Sequence, residues 1–383
     1  MMSPQLQPSP FASASTIVLK FGSAVLTTTS GELDMPVLRQ LCDEIALLAK
    51  SGRKIVLVTS GAVAAGRGVL GIKDKKPTIA VKQALAAVGQ SRLMQIYTEL
   101  FAQHEIFVGQ MLLSRSDMED RRRYVNARYT LEELLRRGCV PIINENDTVT
   151  VDELRFGDND GLAAIVAVKM QADALLLLSD VDGLYDSNPK TNESARLLGH
   201  VTKITEEMLA GASHVEVKGG IQVGSGGMTS KVLAAQVATA AGVCVAIAHG
   251  KRPGVVAEIL SGAFHGTFFA AEPCRHTRRR QWILSGKVSG RRVHLDDGAR
   301  DALITKKKSL LPAGVVAIDG EFQPHDLVEI LDATGAVLGR GVINYSSSEL
   351  QRIKGRKTSE IEGILGNKPY DEAIHRDNLA LNE

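Results

Sequence analysis

Two lysines stand where phosphate chemistry would want them. Lys20 closes the run Thr16-Ile17-Val18-Leu19 and leads into a small-residue turn, Gly22-Ser23. Far downstream, Gly224-Ser225-Gly226-Gly227-Met228-Thr229-Ser230-Lys231 reads as a glycine turn opening a helix that carries the second lysine. Phosphoryl transfer asks for cations and N–H donors around negative oxygens, not for an elaborate nucleophile. A lysine ending a buried strand is costly unless it faces an anion; the plainer alternative is that it snorkels to solvent. A lysine in a first helical turn is opposed by the helix dipole, so a bound anion would explain it. Thr229 or Ser230 is the expected cap of that helix.

Polar loops between the two lysines follow apolar strands. Thr59-Ser60-Gly61-Ala62 joins a strand to an Ala/Gly-rich helix, the kind of junction where open α/β sheets bind ligands. Ser60 there is either a plain N-cap or a hydroxyl holding a carboxylate or phosphate. Asn144-Glu145-Asn146-Asp147 and Gly157-Asp158-Asn159-Asp160-Gly161 flank one short connection and precede a helix over Leu162–Met170. Such clusters are often solvated turns, but their amides and carboxylates can also bind an amino group or orient lysines. Ser179-Asp180 follows Leu175-Leu176-Leu177-Leu178 and suits a nucleotide's ribose, base or phosphate.

Other patterns fall away on inspection. Gly66-Arg67-Gly68-Val69-Leu70-Gly71 matches a dinucleotide fingerprint but does not directly follow a strand. Gly61–Gly66 has P-loop spacing, yet Arg67 replaces the required lysine. Asp158-Asn159-Asp160-Gly161 resembles part of a calcium loop, but Phe156 occupies the first ligand position, and no metal site is read here.

The elements that must position these residues alternate. Strands are expected at Thr16–Lys20, Lys54–Thr59, Ile106–Leu113, Val140–Asn144, Ala174–Ser179 and Val243–Ala248. Helices lie between them, as at Met35–Lys50 and Thr78–Gln103, with a later one at Thr229–Ala241. Apolar runs such as Ala174–Leu178 demand burial on both faces, so the fold class is α/β, an open and mainly parallel sheet layered between helices. After Cys274 the composition shifts. Residues Arg275–Lys308 hold eleven Lys/Arg against three Asp, and short strand-like pieces follow at Trp282–Leu284, Arg292–Leu295, Val315–Ile318, Leu327–Leu331 and Val337–Val342. The expected organisation is a disordered tail over 1–15, an α/β domain over 16–270, a linker over 271–280, a small mainly β domain over 281–370 and a tail over 371–383.

The bulk numbers exclude some classes. A net charge of +2 argues for neither nucleic acid nor membrane, and no apolar run is long enough to span a bilayer. Cys42, Cys139, Cys244 and Cys274 are scattered without a CxxC pair, which fits a reducing cytosol. Met1–Ser15 lacks the basic start and apolar stretch of a signal peptide.

Taken in order, Val58-Thr59-Ser60-Gly61-Ala62, Ala87-Val88-Gly89-Gln90-Ser91-Arg92, Gly109-Gln110-Met111-Leu112-Leu113, Asn126-Ala127-Arg128, Ile143-Asn144-Glu145-Asn146-Asp147, Gly157-Asp158-Asn159-Asp160 and Gly226-Gly227-Met228 resemble the amino acid kinase family. The resemblance runs from about Thr16 to Arg376 and is nearest to members that phosphorylate glutamate in proline biosynthesis. The C-terminal β segment resembles a PUA domain, a small fold often found in RNA-modifying proteins. The resemblance implies L-glutamate held by Ser60, Asp147 and Asn159, with Asp147 on the α-ammonium. It implies ATP contacted by Lys20, Ser179, Asp180 and the loop Ser225, Gly226, Gly227, Met228, Thr229, Ser230 and Lys231. Lys20 would act on the moving phosphoryl group and Lys231 on the departing ADP. Asp160 would position the lysines, and Mg²⁺ would ride on the nucleotide phosphates. Proline as inhibitor and a homo-oligomer, dimer or tetramer, are further implications.

One departure is Ala24, where the family commonly has a hydroxyl, leaving Ser23 and backbone N–H groups to serve the phosphate. Rival acceptors within the family include acetylglutamate, which offers no free ammonium for these acidic loops, and a nucleoside monophosphate, which needs a second phosphate site. RNA binding by the basic C-terminal part is the competing class of function, weakened by its few aromatics.

Overall fold

The computed structural model describes residues 10–72, 77–149, 159–189, 191–213, 227–272, 283, 288 and 290–382. The chain divides into two compact units, Met1–Pro273 and Cys274–Glu383.

In the first unit the strands are β1 (Thr16–Phe21), β2 (Lys54–Val58), β3 (Val108–Leu113), β4 (Val140–Glu145), β5 (Ala174–Ser179), β6 (His200–Val201), β7 (Cys244–His249) and β8 (Gly266–Phe269). The helices are α1 (Ser23–Leu26), α2 (Met35–Lys50), α3 (Ala62–Leu70), α4 (Ile79–Ala102), α5 (Arg115–Glu119), α6 (Arg121–Arg136), α7 (Asn159–Lys169), α8 (Glu206–Ser213), α9 (Met228–Ala240) and α10 (Val255–Ser261). The sheet order is β3-β4-β2-β1-β5-β7-β8-β6. The first six strands in that order pair in parallel, and β8 runs antiparallel to β7. The open, mainly parallel sheet expected from the apolar runs is present. The short strands β6, at the sheet edge, and β8, between β6 and β7, were not anticipated.

The pleat sorts the strands onto two helical layers. Ile17, Leu19 and Phe21 face a core with Leu38, Leu41 and Ile45 of α2 and Leu93, Ile96 and Tyr97 of α4. Val18, Val56, Val58, Leu175 and Leu177 face the opposite core, with Leu162 and Val166 of α7 and Val232 and Ala235 of α9. Lys20 follows Val18 in the same alternation, so it points toward α7 and α9. The chain leaves β1 toward β2 on one side and returns beside it as β5 on the other. The strand ends around β1 therefore form a topological switch point, where open α/β sheets leave a crevice.

The N-terminal segment departs from the expected disordered tail over 1–15. Phe11 is 1% exposed and packs edge-on against Phe268, with ring centroids 5.3 Å apart, while Ala14 is also buried. An aromatic that finds a pocket between rings outweighs the polar composition around it.

The second unit holds β9 (Arg292–Leu295), β10 (Val315–Asp319), β11 (Leu327–Leu331), β12 (Val337–Val342) and β13 (Leu379–Leu381), in the order β10-β9-β11-β12-β13. Its helices are α11 (Asp297–Ile304), α12 (Ser347–Ile353) and α13 (Ile361–Leu365). Where sequence patterning places a tail over 371–383, β13 pairs antiparallel with β12 and buries Ala380, while Ala373 and Ile374 join the core. Part of the basic run is spent on ion pairs: Arg292 to Glu329, Arg300 to Asp332 and Lys306 to Asp301. Of the expected linker over 271–280, residues 273–280 lie outside the described residues, as does the strand Trp282–Leu284 apart from Ile283.

Candidate active site

Lys20 lies near the C-terminal end of β1, hydrogen-bonded into the sheet between β2 and β5, and is 1% exposed. Its ammonium sits 2.6 Å from Oδ1 of Asp160, which is 0% exposed in the first turn of α7. Lys231, 4% exposed in the first turn of α9, places its Nζ 3.1 Å from the other oxygen, Oδ2. Ser230 Oγ also reaches Oδ2, at 2.9 Å, or alternatively donates to the Gly227 carbonyl. One carboxylate thus pairs with two ammonium groups, one on each of its oxygens. The α7 dipole favours Asp160 in its first turn, whereas the α9 dipole opposes Lys231. Asp160 supplies the anion that a first-turn lysine requires, so a bound ligand is not needed to explain Lys231.

Several local expectations are corrected. The N-cap of α9 is Gly227 with no side-chain cap, and Thr229 Oγ1 instead donates to the Ala212 carbonyl at 2.8 Å. The N-cap of α3 is Gly61, at φ 101°, not Ser60. Ser60 Oγ accepts from Asn159 Nδ2 at 2.9 Å. Asn159 and Asp160 belong to the helix rather than to the preceding loop, because α7 begins at Asn159. The Gly22 N–H, expected near phosphate, donates to the Leu178 carbonyl at 3.1 Å and extends the β1–β5 pairing.

Both lysines open onto a cavity of about 630 Å³, whose wall does not include Asp160. Lys20, Lys231, Ser179 and Asp180 are on its wall, as are Ser60, Asn144, Asp147 and Asn159, together with Ser23 and Ala24. Ser179 Oγ donates to Asp180 Oδ1 at 3.1 Å. Gly227, Met228, Thr229 and Ser230 are not among the wall residues, and Met228 packs against the α7–α9 core. Ser225 and Gly226 lie outside the described residues, as does Asp158.

A buried amide network backs the Ser60 side of the cavity. Asn159 Nδ2 is shared among the Thr59 carbonyl at 2.8 Å, Ser60 Oγ at 2.9 Å and Asn144 Oδ1 at 2.9 Å. Asn144 Nδ2 donates to Gln90 Oε1 at 2.8 Å, and Thr59 Oγ1 and Tyr97 OH are 2.6 Å apart. Gln90 and Tyr97 escaped the residue-level reading. Their signal was present: each is a hydrogen-bonding side chain on the buried face of α4, beside Leu93 and Ile96. Arg67 and Lys82 add two cations to the cavity wall.

Of the dinucleotide-like glycines, Gly66 serves packing and Gly71 capping. A Cβ on Gly66 would lie 2.0 Å from the Leu85 carbonyl oxygen, and one on Gly89 would lie 1.8 Å from that of Ala62. Gly71, at φ 64°, caps the end of α3. These contacts bring α3 and α4 together behind Ser60 and Gly61.

A sheet whose switch point buries two lysines on one carboxylate is the arrangement of a phosphate-transferring α/β enzyme. Residues 15–249, more than half of the chain, match the family model described as the amino acid kinase family, and residues 291–365 match the PUA domain. The chain belongs to the amino acid kinase family and is an enzyme of the kinase class. Among relatives, glutamate 5-kinase of Syntrophotalea carbinolica is 49% identical over 95% of this chain and 96% of its own. Glutamate 5-kinase of Moorella thermoacetica is 45% identical over 96% of each chain, and that of Myxococcus xanthus is 46% identical over 96% of this chain and 97% of its own. Among the described residues no helix is long and apolar enough to cross a membrane.

Proposed function

We propose that this protein transfers the terminal phosphoryl group of ATP to the side-chain carboxylate of L-glutamate, giving L-glutamyl 5-phosphate. The observation that carries the reading is the pair of buried ammonium groups, Lys20 and Lys231, held on Asp160 at a cavity whose wall also carries amides, hydroxyls, carboxylates and the cations of Arg67 and Lys82. The names of the relatives support the same substrate. A carboxylate is already a nucleophile at neutral pH, so no strong general base is required. The chemical task is to hold it in line and to stabilise migrating negative charge.

In this reading Lys20 contacts the moving phosphoryl group and Lys231 the leaving ADP. Asp160 keeps both ammonium groups in place. Ser60, Asn159 and Asp147 hold glutamate, with Asp147 facing its ammonium. Ser179 and Asp180, with the segment from Ser225 to Lys231, hold the nucleotide. Mg²⁺ suits the site as an ion carried on the nucleotide phosphates, the carboxylates on the wall being Glu145, Asp147 and Asp180. When bound, it would supply charge neutralisation of the phosphates. Proline would compete at the acceptor pocket around Asn144–Asp147, and the protein would work as a homo-oligomer in the cytoplasm.

The test compares glutamate, acetylglutamate and aspartate with ATP and Mg²⁺. Turnover of glutamate alone, inhibited by proline in a manner that added glutamate relieves, is the expected outcome. Turnover of acetylglutamate alone would overturn the reading.

A further inference from the structure

We propose that Gln90 is a positioning residue for the acceptor substrate: from α4 it locks an amide relay, Asn144 to Asn159, that aims one unsatisfied acceptor at the substrate's ammonium. This rests on the reading of glutamate as the acceptor.

The orientation of the relay is set by backbone groups whose roles are unambiguous. The Glu145 N–H donates to Asn144 Oδ1 at 2.9 Å, so Asn144 must present its oxygen there and its Nδ2 elsewhere. That Nδ2 meets Gln90 Oε1 at 2.8 Å. The Thr59 carbonyl can only accept, so Asn159 must turn Nδ2 toward it, toward Ser60 Oγ and toward Asn144 Oδ1. With its nitrogen committed, Asn159 leaves Oδ1 buried without a hydrogen-bond partner. A buried acceptor left open in a residue that lines the cavity is a ready partner for a donor on the substrate. Glutamate's ammonium is such a donor, and a substrate without a free ammonium cannot serve this oxygen as well.

Gln90 contributes only its oxygen. Its Nε2 is itself buried without a partner, so the nitrogen supports nothing in the relay. The pleat of β4 puts Asn144 on the face of Val140 and Ile142, the α4 side of the sheet, where Gln90 can reach it. The relay's bonds run among Gln90, Asn144, Asn159, Thr59 and Ser60, on the Ser60 side of the cavity, so it bears on where the acceptor sits rather than on how phosphate charge is stabilised.

The experiment measures kcat and KM for both substrates in Gln90→Met and Gln90→Glu, alongside thermal denaturation of each. Gln90→Met keeps the volume but leaves Asn144 Nδ2 buried without an acceptor. It is expected to raise the KM for glutamate about tenfold, with the KM for ATP within about twofold of wild type. Gln90→Glu keeps an acceptor oxygen in the same place and is expected to restore most of the glutamate KM. Equal rises in both KM values, or a wild-type glutamate KM in a folded Gln90→Met, would overturn the inference alone. A wild-type protein that neither binds nor phosphorylates glutamate would remove the functional reading and this inference with it.

Discussion

Lys20 and Lys231 stand on opposite oxygens of the same carboxylate, Lys20 at 2.6 Å from Oδ1 of Asp160 and Lys231 at 3.1 Å from Oδ2. The three groups come from β1, α7 and α9, and all are buried. The asymmetry in their electrostatics yields the first prediction.

Removing Asp160 should cost more stability than removing either lysine. Asp160→Asn removes the carboxylate that both buried ammonium groups share, a loss of about 3–5 kcal/mol by analogy with breaking other buried pairs. Lys231→Met leaves one carboxylate with one ammonium and should lose clearly less. Urea denaturation of both variants and the wild type ranks them; a Lys231→Met protein less stable than Asp160→Asn would contradict the shared-counterion picture. For turnover the ranking differs: Lys20→Met should lower kcat about 10²–10³-fold, as when one donor to developing charge is lost elsewhere.

The glycines of α3 and α4 should respond oppositely to an added methyl group. Gly89→Ala drives a Cβ to within 1.8 Å of the Ala62 carbonyl oxygen, so the helices must separate. A loss of about 1–3 kcal/mol or more is expected, with a raised KM for the acceptor because Ser60 and Gly61 ride at the start of α3. Gly68→Ala meets nothing within 4 Å and should gain about 0.5–1 kcal/mol from helix propensity. Chemical denaturation of both variants checks the contrast in sign.

Alkaline pH should weaken the second unit. Burial raises the Tyr345 phenol from 10.0 to about 12, with the nearby carboxylates Asp371, Glu349 and Glu372 adding to the shift, and burial raises Tyr370 as well. The folded state therefore holds these protons to higher pH than the unfolded chain. Their contribution is complete below pH 10 and is lost as pH rises from about 10 toward 12. Stability measured at stepwise pH should fall across that window, and Tyr345→Phe should flatten the fall.

The N-terminal segment should behave as part of the core. Phe11 packs edge-on against Phe268 and Phe264, with centroids 5.3 and 6.3 Å away. Phe11→Ala should destabilise the first unit by about 3 kcal/mol. A thermal midpoint unchanged by the substitution would show that the contact carries no weight.

Much of the scaffold was legible in one dimension. Ala174–Ser179, Arg292–Leu295, Leu327–Leu331 and Val337–Val342 are strands at the residues their composition marks, and Met35–Lys50 is a helix over the same span. Strands buried on both faces carry continuous apolar runs, and amphipathic helices carry their period, so these signals are local. Strands as short as Gly266–Phe269 and Leu379–Leu381, four and three residues long, carry too brief a pattern to read. Phe11 was missed for a related reason: its pocket is made by residues more than two hundred positions away.

For the site, residue types and their place after strands were enough to nominate Lys20, Ser60, Asp160, Ser179 and Lys231 as groups for phosphate chemistry. Their mutual geometry was not. That Lys20 faces α7 depends on the parity of β1 relative to its two neighbours in the sheet. That Asp160 meets both lysines depends on α7 and α9 packing over the same face. Gln90 lies further still from local reach, since its partner Asn144 sits on another element and its usefulness depends on an amide two hydrogen bonds away. Local chemistry is written in side-chain type and spacing; opposition of charges across a crevice exists only once strand register and helix packing have chosen which side chains share a face.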